Sequence, residues 1–77
     1  MLKRARGDRA GGMKDLDRAI ELDPRLPSAW SNRGIARRLD GDLPGAISDY
    51  EKALEVAPAD WNHRERVKRD LEQMRRE

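Results

Sequence analysis

Apolar residues recur along the chain at helical spacing, in stretches cut apart by proline and glycine. Met13, Leu16, Ala19 and Ile20 fall at i, i+3, i+6 and i+7, one stripe of an amphipathic helix over about Ala10 to Leu22. Gly11-Gly12 weakens its start by up to about 1 kcal/mol per glycine relative to alanine. Asp23-Pro24 ends it, because the residue before a proline is pushed out of the α region. A second stripe, Trp30, Ile35, Ala36 and Leu39, opens at Pro27-Ser28 with Ser28 as the expected N-cap and runs to about Asp40. Gly41-Asp42 is a turn, and Pro44 falls in the first turn of a third helix, where its missing N–H costs nothing. That helix carries Ala46, Ile47, Tyr50, Ala53, Leu54 and Val56 and closes at Pro58. A final helix is expected from an Asp60 N-cap to about Arg75, with Trp61, Arg64, Val67, Leu71 and Met74 on one narrow stripe. Ahead of all these, Met1 to Arg6 reads as the last turns of another helix, ended by Gly7-Asp8. The expected fold class is all-α.

The pattern repeats. Shifted by 34 residues, Gly7 falls on Gly41, Asp8 on Asp42, Gly11 on Gly45 and Asp15 on Asp49. Ala19 falls on Ala53, Glu21 on Glu55 and Pro24 on Pro58, while Leu16/Tyr50, Ile20/Leu54 and Leu22/Val56 keep apolar character. The coincident positions are turn, cap and close-packing residues, where backbone geometry restricts choice most. Gly34 in mid-helix is costly unless another helix approaches closely there.

A helix–turn–helix unit of this period resembles the tetratricopeptide repeat family, and its landmark residues map onto Pro27 to Pro58. They are Trp30, Gly34, Ala46, Tyr50, Ala53 and Pro58. Arg33 and Arg37 stand where the family has a leucine and an aromatic; arginine can pack its methylene stem and keep its head in water. The resemblance implies antiparallel helix-turn-helix repeats stacked as a short right-handed solenoid. The single domain 1–77 then divides into a truncated first repeat (1–24), a complete repeat (27–58) and a C-terminal capping helix (60–76). Such stacks need about three repeats for stability. The chain is therefore expected to be cut from a longer array or to self-associate.

Composition supports a thin stack rather than a thick core. The chain is 36% hydrophobic and 42% charged, against averages of about 45–50% and about 25%. A domain of this size also buries only roughly 60% of its unfolded surface. The formal charge is +2, which is not a nucleic-acid-binding balance. The basic residues that stand out are Lys3, Arg4, Arg6 and Arg9, and contact with an anionic surface or nucleic acid through them is the weaker alternative. With no cysteine there is no disulfide or thiolate chemistry. No apolar run is long enough to span a membrane, and no secretory h-region is seen, so a cytoplasmic location is the default expectation.

No catalytic residues, cofactor or metal site are expected. His63 is the only histidine, Ser28, Ser31 and Ser48 have no base near them in sequence, and GDRAGG and GDLPGA lack the Lys-Ser/Thr of a phosphate loop. What remains is a surface. In the family it resembles, the first helix of each repeat lines a concave groove for peptide segments. By that resemblance the groove candidates are Ser28, Ser31, Asn32, Ile35, Arg38 and Leu39, continued on the last helix by Asn62, Glu65, Arg66 and Arg69. In chaperone-binding members an asparagine and an arginine one repeat later help clamp a peptide carboxylate. Asn32 and Arg66 stand at that separation, while the clamp's lysine is replaced by Asn62. The expected function is a protein–protein interaction module or scaffold; the alternative is a structural or oligomerisation element of a longer helical array. The expected partner is a protein or peptide, with homo-oligomerisation open and nucleic acid disfavoured.

Overall fold

Proline, glycine and a capping aspartate set the helix borders. The computed structural model describes residues 2–77, with side chains from Gly12 onward. Four helices follow one another: α1 (Leu2–Leu22), α2 (Pro27–Leu39), α3 (Leu43–Val56) and α4 (Arg64–Arg76). No strand occurs among the described residues, so the fold is all-α. α2 packs against both α1 and α3, and α4 packs against α3.

The turn between α2 and α3 follows the sequence closely. Gly41 takes a left-handed φ of +86°, open to glycine at no steric cost. Asp42 is the N-cap, and its Oδ1 accepts the Gly45 N–H at 3.0 Å. Other borders differ from expectation. α2 is capped by Leu26, not Ser28: Pro27 takes the first helical position and leaves Leu26 extended, with no side-chain cap. α4 starts at Arg64 with His63 as N-cap, not at Asp60. Two single turns come first, closed by Trp61 N–H to the Pro58 carbonyl and Arg64 N–H to the Trp61 carbonyl, each 3.1 Å. They place half-buried Trp61 on the core ahead of the helix, its ring edge-on to His63 at 5.5 Å.

The largest difference is in α1, which runs unbroken through the expected break at Gly7-Asp8. The matching turn in the second copy has Pro44 two residues after its aspartate, whereas the first copy has Ala10, which keeps its N–H. Glycine alone weakens a helix by only about 1 kcal/mol, which does not suffice to end it.

The core cluster among the described residues joins Ala46 and Tyr50 of α3 with Val67, Leu71 and Met74 of α4. Ile35, Leu43, Ile47, Leu54 and Trp61 pack around it. Gly34 lets α2 join: a Cβ there would lie 2.6 Å from Tyr50 Cε1 and 3.3 Å from the Ala46 carbonyl oxygen.

Candidate interaction surface

The expected groove residues separate into three groups. Asn32 on α2 and Glu65, Arg66 and Arg69 on α4 are exposed. Ile35 is half-buried against the core, and Leu39 is 72% exposed. Ser31 is buried, and its hydroxyl donates to the Ser28 carbonyl at 3.1 Å, so it turns into its own helix instead of toward a partner. Ser28 is half-buried. Asn62 is exposed but lies in the turn before α4, because that helix starts later than the repeat spacing implied.

Two of the candidates, Arg38 and Arg66, act electrostatically on Tyr50. Burial pushes the Tyr50 phenol above its ordinary range. Asp70 pushes it the same way, while Arg66 and Arg38 pull it back. Charges of both α2 and α4 thus act on the ionisation of one tyrosine of α3. Arg38 is already engaged, its Nη2 donating to Glu77 Oε2 at 2.8 Å. Both side chains of that pair are about one-third exposed, where an ion pair is worth only about 0–1 kcal/mol and is readily exchanged.

The strongest polar feature lies at Arg33 and Asp49. Arg33 and Arg37 do not hold their heads in water. Arg33 Nε and Nη2 donate to Asp49 Oδ2 and Oδ1 at 3.0 and 2.9 Å, a bidentate pair. Its Nη1 donates to Asp17 Oδ1 at 2.9 Å, and Arg37 Nη1 lies 3.4 Å from Asp49 Oδ2. The Asp49 side chain is only 2% exposed. These hydrogen bonds hold the Arg33 pKa above its ordinary value against the opposing cost of burial. One guanidinium therefore joins α1, α2 and α3. A signal for it stood in the sequence: Asp49 shares the stripe of Ala46, Tyr50 and Ala53, where a lone carboxylate could not be buried unpaired.

Trp30 is structural. Its Nε1 donates to the Pro24 carbonyl at 2.7 Å, fixing the α1–α2 connection. Arg33 and Lys52 lie over its ring at 5.1 and 5.9 Å. The surface also carries shallow grooves. One of about 310 Å³ lies between α3 and α4, lined by Glu51, Leu54, Lys68, Leu71, Glu72 and Arg75. Another of about 200 Å³ on α4 includes Arg69. No acidic or histidine cluster among the described residues could hold a metal, and no described helix is long and apolar enough to cross a membrane. The basic residues Lys3, Arg4, Arg6 and Arg9 lie outside the described side chains.

Residues 27–60 match the tetratricopeptide repeat family. Tetratricopeptide repeat protein 36 of Bos taurus is 43% identical over 51 residues, 66% of this chain and 27% of that protein. The Homo sapiens protein of the same name gives the same figures. Hsp70-Hsp90 organizing protein 2 of Arabidopsis thaliana is 32% identical over 63 residues, 82% of this chain and 11% of that protein. The chain thus spans about a quarter of the length of the first two relatives. Tetratricopeptide repeats mediate protein–protein interaction, and proteins built from them are typically non-enzymatic scaffolds. Residues 27–60 are a tetratricopeptide repeat, and over 66% of its length the chain is similar to proteins named for that repeat.

Proposed function

We propose that the chain is a protein–protein interaction module that receives a peptide segment across the face shared by α2 and α4. Asn32, Ile35 and Arg38 form one wall, and Arg66 and Arg69 the other. Asn62 contributes from the turn at the edge, and Ser31 is left out because it is buried. The observation that carries this reading is the 2.8 Å bond from Arg38 Nη2 to Glu77 Oε2, which sets α2 beside the end of α4 with the exposed Arg66 and Arg69 on the second helix. Cations held near a low-dielectric wall favour carboxylate-bearing segments, and the weak Arg38–Glu77 pair can yield to one.

The test is a peptide array carrying acidic and neutral segments, probed with the wild-type chain and with Asn32→Ala/Arg38→Ala/Arg66→Ala. All three residues are exposed or half-buried outside the core, so circular dichroism should be unchanged. Binding of acidic segments should fall at least about tenfold, the equivalent of about 1.4 kcal/mol. Equal binding by the triple variant would sink the assignment of this face.

A further inference from the structure

The open groove between α3 and α4 repeats a place that the molecule already fills once. Moved back by 34 residues, its walls Glu51 and Leu54 become Asp17 and Ile20 of α1, and Lys68 and Leu71 become Gly34 and Arg37 of α2. At that earlier place α3 is seated. Tyr50 lies on Gly34, Asp49 meets Arg33 and Arg37, and Ile20 is only 8% exposed. At the later place a groove of about 310 Å³ stands open, with Leu54 and Leu71 in its walls.

What fits such a place is a copy of α3, and the chain contains one in α1. Asp15, Ala19 and Glu21 of α1 repeat Asp49, Ala53 and Glu55 of α3 at the same spacing. The departures compensate each other. Where α2 offers Gly34 to the large Tyr50, α4 offers the longer Lys68, and α1 brings the smaller Leu16 to that register. The Arg33 and Arg37 that pair with Asp49 become Val67 and Leu71 on α4, so the cation left for the exposed Asp15 is the adjacent, exposed Lys68. Leu16 and Ala19 are only half-buried within their own chain, so apolar surface remains on α1 to cover the half-buried Leu54.

We propose that a second copy of this chain docks its α1 into the α3–α4 groove, head to tail, with Asp15 of one copy beside Lys68 of the other. Each copy then offers one groove and one α1. The contact is heterologous and does not close on itself, so assembly grows with concentration. This surface is separate from the α2–α4 face, so the two can fail independently.

Sedimentation velocity from micromolar to millimolar concentration tests it. The wild-type mass should rise steadily with concentration. Asp15→Lys and Lys68→Glu each place like charges at the contact, and each alone should sediment as a monomer. Mixed in equal amounts, the two variants present opposite charges at every contact between unlike copies, and assembly should return. Both residues are exposed, so circular dichroism should show intact folds. A wild-type mass that stays at one copy, or stops at two, overturns the proposal. So does assembly unaffected by either single change, or a mixture that remains monomeric.

Discussion

Asp49 and Arg33 show how much one buried pair governs. Asp49 is buried and takes two hydrogen bonds from Arg33, with Arg37 nearby. Asp49→Ala leaves a mostly buried guanidinium without its main partner, which costs about 3–5 kcal/mol. A small domain has a total stability near the lower end of about 5–15 kcal/mol, so this variant should retain only about 0–2 kcal/mol and unfold at far lower urea than the wild-type chain. Replacing both partners with apolar residues, Arg33→Met with Asp49→Leu, should recover most of the loss. Asp17 and Arg37, left behind, are 48% and 31% exposed in their side chains and can turn to water. A double variant no more stable than Asp49→Ala would show that the pair contributes more than its desolvation cost. In the sequence only the carboxylate of Asp49 on an apolar stripe signals the pairing; Arg33 itself carries no local sign of it. Its partners lie on two other helices, sixteen residues away in either direction.

Tyr50 gives a second expectation at this scale. Its phenol is buried, and its pKa is raised chiefly by that burial. The protonated form is favoured in the folded state, so its contribution is complete below the unfolded value of about 10. That contribution is lost as pH rises through the higher folded value. Tyr50 is the only tyrosine, so tyrosinate absorbance reads it directly. The midpoint should lie above the ordinary value in buffer and return to it in denaturant. Stability should fall with rising pH in that window, and Tyr50→Phe should remove this part of the fall. Equal midpoints in buffer and denaturant would contradict the burial.

Among the elements, the α2–α3 pair was the most legible in the sequence. Gly41, Asp42 and Pro44 each act within a few residues of themselves, so their meaning is local. Gly34 was legible for a different reason: a mid-helix glycine implies a close neighbour, and the neighbour is Tyr50. Gly34→Ala gains about 1 kcal/mol of helix propensity. It also places a methyl on the Tyr50 ring and near the Ala46 carbonyl oxygen, and overpacking costs about 1–3 kcal/mol. The net effect should be a lower melting temperature. In a Tyr50→Leu background, the same change should cost less or become stabilising, because the two residues are in contact. Equal effects in both backgrounds would place the penalty elsewhere. The helix starts were less legible. Ser28 and Asp60 are good caps by type, but Pro27 and the Trp61 turns fixed the chain before those side chains could act. The same holds for α1, where a glycine-aspartate pair without the following proline does not stop a helix.

For the molecule as a whole, the question is whether its two sides unfold together. The slab measures 39 × 31 × 19 Å, and its thinnest dimension is about two helix diameters. One side is held by the Arg33 ion pairs among α1, α2 and α3, the other by the apolar cluster of α3 and α4. α3 belongs to both: Asp49 serves the first side, Ala46 and Tyr50 the second. The two tryptophans report the sides separately. Trp30 is tied to the Pro24 carbonyl, and Trp61 packs on the α3–α4 core. Met74 is 1% exposed in that core, so Met74→Ala should cost about 2–5 kcal/mol. The exposed Arg75–Glu51 pair is worth under about 1 kcal/mol, so Arg75→Ala should change little. If α3 couples the sides, Met74→Ala shifts the urea midpoint seen by Trp30 as far as that seen by Trp61, although Met74 lies on α4. Trp61→Phe and Trp30→Phe backgrounds isolate the two signals. A Trp30 midpoint that stays in place while the Trp61 midpoint falls would show that α4 detaches alone and that α3 does not transmit its loss.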